Sequence, residues 1–400
     1  MWGLFKTKVN LGFLVNPFYL YCIAFSLAII VYLFGWSKIF PALSAGLILF
    51  LVATFILFIF AGYRFGLRNP GFFSKHSFNT LNDIIFWLII LLCIVNVLYM
   101  GYLPVLDRSH DYREFGMPVI DPVFNSLSIF FSVVFFQSFI EQKKKRFFIY
   151  VLIIILIHIL LYRRSSVIWI ITSTVFLLLI YKKSSSLLVI IAALICLPIL
   201  SYCFGAYGNV RSNLSKSFVM NGLGASEKFK NSNISHNHYM TYLYISSPLA
   251  NLQENIDEAD IAVKKTDFKE FFFYCILPES FTLRLEKPLD LSPPVCYLIT
   301  PELIVGSFFM VAFYTLGWTG MIIMFLYLSL FIIVCLVLIR KWNTFSSVTI
   351  SLLSAAVSLL IFSNFLNRLD VILMLFVYPV LFHLIFNFGD KFKVYLPEFR

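Results

Sequence analysis

Arg163-Arg164-Ser165-Ser166 is the stretch whose residue types point most directly to chemistry. Planar guanidinium forks match phosphate oxygens in pairs, so adjacent arginines at one surface make a natural anion site. Arg211, Arg284 and Arg368 extend the set, and all but Arg284 lie within a few residues of the end of an apolar run. The plainer alternative is positive charge tolerated in a tight turn. A second group can accept a proton: His236 and His238, in a segment rich in asparagine, and Glu254. A general base must be a carboxylate or imidazole within reach of the hydroxyl it serves, although two solvated loop histidines are the alternative for His236 and His238. No HExxH, phosphate-binding glycine loop, GxSxG or paired-cysteine spacing occurs, so neither a metal nor a cofactor is expected.

Elements built for lipid must position these residues. Of 400 residues, 60% are hydrophobic and 13% charged, far from the roughly 45–50% apolar and about 25% charged of a soluble domain. The expected fold is all-α, a polytopic integral membrane helix bundle of about ten to eleven transmembrane helices. A bilayer crossing needs roughly 20 apolar residues. On that measure the spans read Pro17–Trp36, Ile39–Gly62, Ile84–Leu103, Val123–Ile140, Phe147–Tyr162, Val167–Tyr181, Leu187–Phe204, Leu316–Ile339, Ser347–Phe362 and Val371–Phe388. The first run is too long for a signal-peptide core and reads as an uncleaved anchor.

Charge sets the orientation. Lys6 and Lys8 place the N-terminus in the cytoplasm, and Arg64, Arg68, Lys75, the run Lys143–Arg146, Lys182-Lys183, Arg340-Lys341, Lys391 and Lys393 then fall inside. The net charge of +11 is accounted for by these loops, so nucleic acid is not an expected partner. The connection from Asp107 to Asp121 falls outside with four acids against two bases, and Arg163-Arg164 falls outside against the rule. Only one of Tyr297–Tyr314 and Leu316–Ile339 can cross if the rule holds. The former contains Pro301, Glu302 and Gly306 and is expected to be a re-entrant or interfacial segment, with an ordinary short span as the alternative. The resulting divisions are 1–204, an N-terminal bundle of seven spans; 205–296, a large outer loop; and 297–400, the re-entrant segment and three spans.

Within the loop, His238–Asn251 is expected to form an interfacial helix ended or kinked near Pro248, and Glu254–Glu270 a solvated helix face. Phe271-Phe272-Phe273-Tyr274 is expected to dip back toward lipid. Cys275 and Cys296 are the two cysteines placed to meet outside the cytoplasm. The span interiors hold no ionisable residue besides His158, His383, cysteines and tyrosines, which disfavours an ion-coupled transporter. His158, one turn from Tyr162, is placed to brace the arginine turn or simply to pack.

This layout resembles the O-antigen polymerases, the Wzy-type oligosaccharide repeat-unit polymerases. The resemblance rests on the arginine turn, Gly205–Arg211, Tyr244-Ile245-Ser246-Ser247-Pro248-Leu249, and Leu316-Gly317-Trp318-Thr319-Gly320 entering a span. It implies a metal-independent glycosyltransferase, multi-pass in the bacterial inner membrane, with 205–296 as a periplasmic loop. Its implied substrates are undecaprenyl-pyrophosphate-linked oligosaccharides, and a chain-length regulator is a possible protein partner alongside the lipid bilayer. On that reading Arg163, Arg164, Arg211, Arg284 and Arg368 contact the pyrophosphate. His236, His238 and Glu254 are candidate bases, and Tyr207, Tyr242, Tyr244 and Trp318 contact sugars unless they are interface anchors. An O-antigen ligase shares the architecture, and a non-enzymatic lipid-linked oligosaccharide flippase is the other alternative.

Overall fold

The structure is a computed structural model that describes residues 14–65, 79–107, 115–181, 197–209, 215–258, 268–341 and 345–385. Among these residues there is no strand, only one isolated bridge between Ser37 and Ala225. The main helices are α1 (Pro17–Tyr32), α2 (Ala45–Phe65), α3 (Asn79–Met100), α4 (Ile120–Gln142), α5 (Lys145–Leu160) and α6 (Arg164–Tyr181). They continue with α7 (197–209), α8 (His236–Asp257), α9 (Glu279–Leu285), α10 (Met310–Lys341) and α11 (Ser346–Leu359), and end with α12 (Leu369–Ile385). Among the described residues, five helices, α2, α3, α4, α6 and α10, are long and apolar enough to cross a membrane, and α1, α11 and α12 are shorter apolar helices. The chain is thus a helical protein of membrane-spanning composition. Exposed Leu49, Phe60, Leu98 and Leu156 give it apolar outer faces, as lipid contact demands.

The helices group into two compact units that do not follow chain order. The first takes 1–66, 183–329 and 357–367, and the second takes 67–182, 330–356 and 368–400.

In the first unit α1 pairs with α2 around Tyr21, whose hydroxyl lies 3.1 Å from Thr54 Oγ1. The rings of Phe18, Phe25 and Phe58 fill the contact. Helix α8 runs the length of the unit and does not end at Pro248. The proline removes one backbone bond, but Leu243, Leu249 and Leu252 on either side are fully buried and hold the helix through it. Gly205-Ala206-Tyr207-Gly208-Asn209, expected to open the loop, is the last part of α7. A side chain at Gly205 would collide with the Asn237 carbonyl, so glycine there permits α7 to lie against α8. Asn209 Nδ2 donates to Asn237 Oδ1 at 2.8 Å and Thr241 Oγ1 to the Ser201 carbonyl at 2.6 Å.

Residues 297–309 of the same unit form no helix; helix begins at Met310 and is broken at Gly317 (φ 60°, ψ −144°). The cause is a pair of asparagines one turn apart on α8. Asn255 donates to the Tyr297 carbonyl at 2.9 Å and accepts from the Tyr297 amide at 3.0 Å. Asn251 donates to the carbonyls of Leu303 and Val305 at 2.6 and 2.9 Å and accepts from the Ile299 amide at 3.0 Å. Buried backbone groups must be paired, and here side-chain amides replace helical bonds.

In the second unit α4 is the axis, buried along most of its length. Its small hydroxyls fold back on the helix, Ser126 to the Pro122 carbonyl at 2.7 Å and Ser132 to the Ser128 carbonyl at 2.7 Å. Other hydroxyls reach neighbours, as Ser138 does in accepting from Asn82 of α3 at 3.0 Å. Polar side chains of this kind hold helices together where lipid offers no hydrophobic drive. At the end expected to face the cytoplasm, Arg146 pairs with Asp83 at 3.0 Å, and Tyr150 donates to the same carboxylate at 3.0 Å.

Candidate functional site

The second unit gathers a polar cluster where α4, α6 and α12 begin and α5 ends, the end that charge assigns to the outside. Each helix enters it through a specific turn. Helix α5 closes in a Schellman motif: Tyr162 takes the left-handed conformation (φ 55°), its amide bonds to the Ile159 carbonyl at 3.0 Å, and the Arg163 amide bonds to the His158 carbonyl at 2.8 Å. That turn sets Arg163 just ahead of α6. Helix α4 is entered by a γ-turn at Pro118-Val119-Ile120, with Val119 at φ 72° and ψ −48° and an Ile120 amide to Pro118 carbonyl bond of 2.9 Å. Such a turn is rare and strained, most of all on a β-branched residue. Gly116 (φ 131°) precedes it, and any side chain there would collide with the Asp121 carboxylate.

The charges are paired inside the cluster. Arg163 Nη2 donates to Asp121 Oδ1 and to the Phe115 carbonyl at 3.3 Å. Its guanidinium carbon lies 5.6 Å from the centre of the Phe124 ring. Arg368 holds Asp370 with two bonds, Nε to Oδ1 at 3.1 Å and Nη2 to Oδ2 at 2.7 Å. Asn125 links the helices: it donates to Asp370 Oδ2 at 2.8 Å, and its Oδ1 accepts from Ser166 of α6 at 2.6 Å. Ser128 donates to the Asn125 carbonyl at 2.9 Å and lies 2.9 Å from His158 Nε2. With its single proton committed to the Asn125 carbonyl, the Ser128 hydroxyl accepts from His158 Nε2. His158 is fully buried, and among the described residues its Nδ1 has no hydrogen-bond partner. Arg164 opens α6 beside Arg163.

The sequence-level set is therefore divided. Arg163 and Arg368, 205 positions apart, lie in one polar cluster, each engaged by a carboxylate that the sequence reading left out of the site. Arg284 is exposed on α9 of the first unit, and Arg211 lies outside the described residues, as do Arg68, Lys75, Lys182-Lys183 and residues 259–267 of the charged stretch. His236, His238 and Glu254 all lie on α8 in the first unit. At about 1.5 Å per residue, Glu254 is roughly 24–27 Å along that helix from the histidines, so the three cannot serve one hydroxyl. His238 Nδ1 bonds to Ser201 Oγ at 3.0 Å, part of the α7–α8 contact. Burial and nearby Lys216 lower the His236 pKa, while burial, then Glu258 and Asp257, raise that of Glu254.

The aromatic residues named from the sequence fall in different surroundings. Tyr242 is 2% exposed and packed among Trp36, Phe40 and Tyr239, so it is core and cannot stack on a ligand. Tyr244 rests edge-on against Phe204, and Trp318 against Phe313 and Phe50. Tyr207 is half-buried on α7. Cys275 and Cys296 are both free thiols. Among the described residues no group of histidine, cysteine and carboxylate side chains is arranged to hold a metal.

Sequence reasoning missed Asn125, Ser128, Asp121 and Asp370 as site residues, and gave Ser166 no role beyond its place in the arginine turn. The signal for the first two was present: Asn125, Ser126, Ser128, Ser132, Gln137 and Ser138 crowd one uncharged span, a density that marks a helix surrounded by protein. No family model matches the chain, and neither a curated protein nor a solved structure matches it.

Proposed function

We propose that this protein is an O-antigen polymerase, a glycosyltransferase that joins undecaprenyl-pyrophosphate-linked oligosaccharide repeat units at the periplasmic face of the bacterial inner membrane. One observation carries the reading: Arg163 and Arg368, from helix ends remote in sequence, enter a single polar cluster at the helix ends assigned to the outside. A lipid diphosphate leaving group sits at that depth, and negative charge grows on it as the glycosidic bond breaks. Preorganised guanidiniums aimed at such charge lower the barrier. Arg163 engages its carboxylate through Nη2, which leaves the N–H groups of Nη1 and Nε to face a further acceptor.

The test is polymer length in cells. A deletion strain carrying R163A or R368A is expected to display lipopolysaccharide with single repeats, as the deletion itself does. Full-length polymer from both variants would overturn the reading. Long unattached chains in the deletion strain would assign the ligase instead.

A further inference from the structure

We propose that Asp121 is the general base of the transfer, taking the proton of the acceptor hydroxyl; this rests on the transferase reading above. Two carboxylates lie in the cluster, and their surroundings differ. Asp370 is saturated. Its Oδ1 accepts from Arg368 Nε and, at 2.9 Å, from the Val371 amide, and its Oδ2 accepts from Arg368 Nη2 and Asn125. Only 9% of its side chain is exposed. Every lone pair that could receive a substrate proton faces a protein donor, so Asp370 orients Arg368 and does nothing else.

Asp121 is half-committed. Oδ1 accepts from Arg163, and among the described residues Oδ2 has no hydrogen-bond partner. Its side chain is 24% exposed, which gives a hydroxyl access that Asp370 lacks. Its position is also fixed: Gly116 covers one face of the carboxylate, and the Asp121 amide bonds back to the Met117 carbonyl at 2.9 Å. The Arg163 pair places the carboxylate beside the guanidinium that faces the diphosphate. Base and leaving-group clamp are thus adjacent, as a displacement requires.

In the step itself the acceptor hydroxyl oxygen forms a bond to the anomeric carbon of the donor. The bond from that carbon to the diphosphate oxygen breaks, its electron pair leaves with the diphosphate beside Arg163 and Arg368, and the hydroxyl proton passes to Asp121 Oδ2. The titratable and charged groups around Asp121 are Arg163 on the α5–α6 turn, Asp370 and Arg368 at the start of α12, Cys93 on α3, and His158 on α5 behind Arg163.

The experiment uses the full chain in lipid nanodiscs, with binding of undecaprenyl diphosphate and transfer from an undecaprenyl-diphosphate oligosaccharide measured separately. D121N should bind undecaprenyl diphosphate as wild type does, while transfer falls by about 10²–10⁴-fold. The rise of transfer rate with pH at the acid limb should vanish with it. D121E should recover part of the rate, and D370N should lose binding and transfer together. Wild-type transfer by D121N overturns the proposal. So does a loss of transfer matched by an equal loss of binding, which would reduce Asp121 to a positioning residue for Arg163. A wild-type protein that binds no undecaprenyl diphosphate sinks the transferase reading and this inference with it.

Discussion

The two units spend their buried polar side chains differently. In the first, Asn251 and Asn255 grip the backbone of 297–305, neutral amide to neutral peptide. In the second, Asn125 and Ser166 grip other side chains, Ser128 reaches the His158 ring, and the chain of bonds through Asn125 ends on the Arg368–Asp370 ion pair. An amide clamp on backbone fixes the course of the chain and leaves no charge behind. A network that ends on Arg368–Asp370, with the Arg163–Asp121 pair beside it, fixes where charge sits. The first arrangement gives shape and the second gives a site.

If that contrast holds, the largest effect should come from breaking a charged link. D370A removes two bonds from Arg368 and one from Asn125 and should cost about 3 kcal/mol, seen as a lower thermal midpoint in detergent. Asn255 is the counterpart in the first unit. N255A leaves both backbone groups of Tyr297 without partners and should cost roughly 2 kcal/mol. The diagnostic readout is hydrogen exchange, which should speed up at the Tyr297 amide and stay unchanged in α4. Uniform acceleration in both units would erase the distinction.

Smaller changes sharpen it. G116A pushes a methyl group into the Asp121 carboxylate and should destabilise by about 1–3 kcal/mol, with a matching loss of the salt dependence contributed by the Arg163 pair. Y162G should run the other way. Glycine accepts the left-handed position of the α5 cap without a β-carbon penalty, and a gain of about 1 kcal/mol is expected in the unfolding midpoint.

The smallest effect concerns Glu254, on the first unit's long helix, where burial raises the carboxyl pKa and the neighbouring Glu258 and Asp257 add to it. The folded chain then holds this proton more tightly than the unfolded chain. Stability therefore falls as pH rises from the ordinary carboxylate value through the raised one. E254Q should gain about 0.5 kcal/mol or less at neutral pH and nothing below pH 4. A gain that persisted at low pH would show packing, and not charge, at work.

Much of this was readable beforehand, and for identifiable reasons. The apolar helices at 120–142, 164–181 and 369–385 follow from runs of apolar residues, and the arginine turn stands out because cations are rare between two apolar runs. The irregular course of 297–309 was signalled by Pro301, Glu302 and Gly306. What held it, the Asn251–Asn255 pair, was hidden, because asparagine in a polar helix looks like any solvated residue until its partner is placed. Tyr242 misled for the converse reason: an aromatic near a polar loop resembles a platform, and only the three rings around it make it core.

Composition and charge order alone settled that the chain is helical, that it has the makings of a membrane protein, and which helix ends are basic, because these depend on residue type and local spacing. Tertiary structure decided which arginines share a site and which carboxylates hold them. Asn125 and Asp370 meet across 245 positions through packing, and no local pattern encodes so distant a bond.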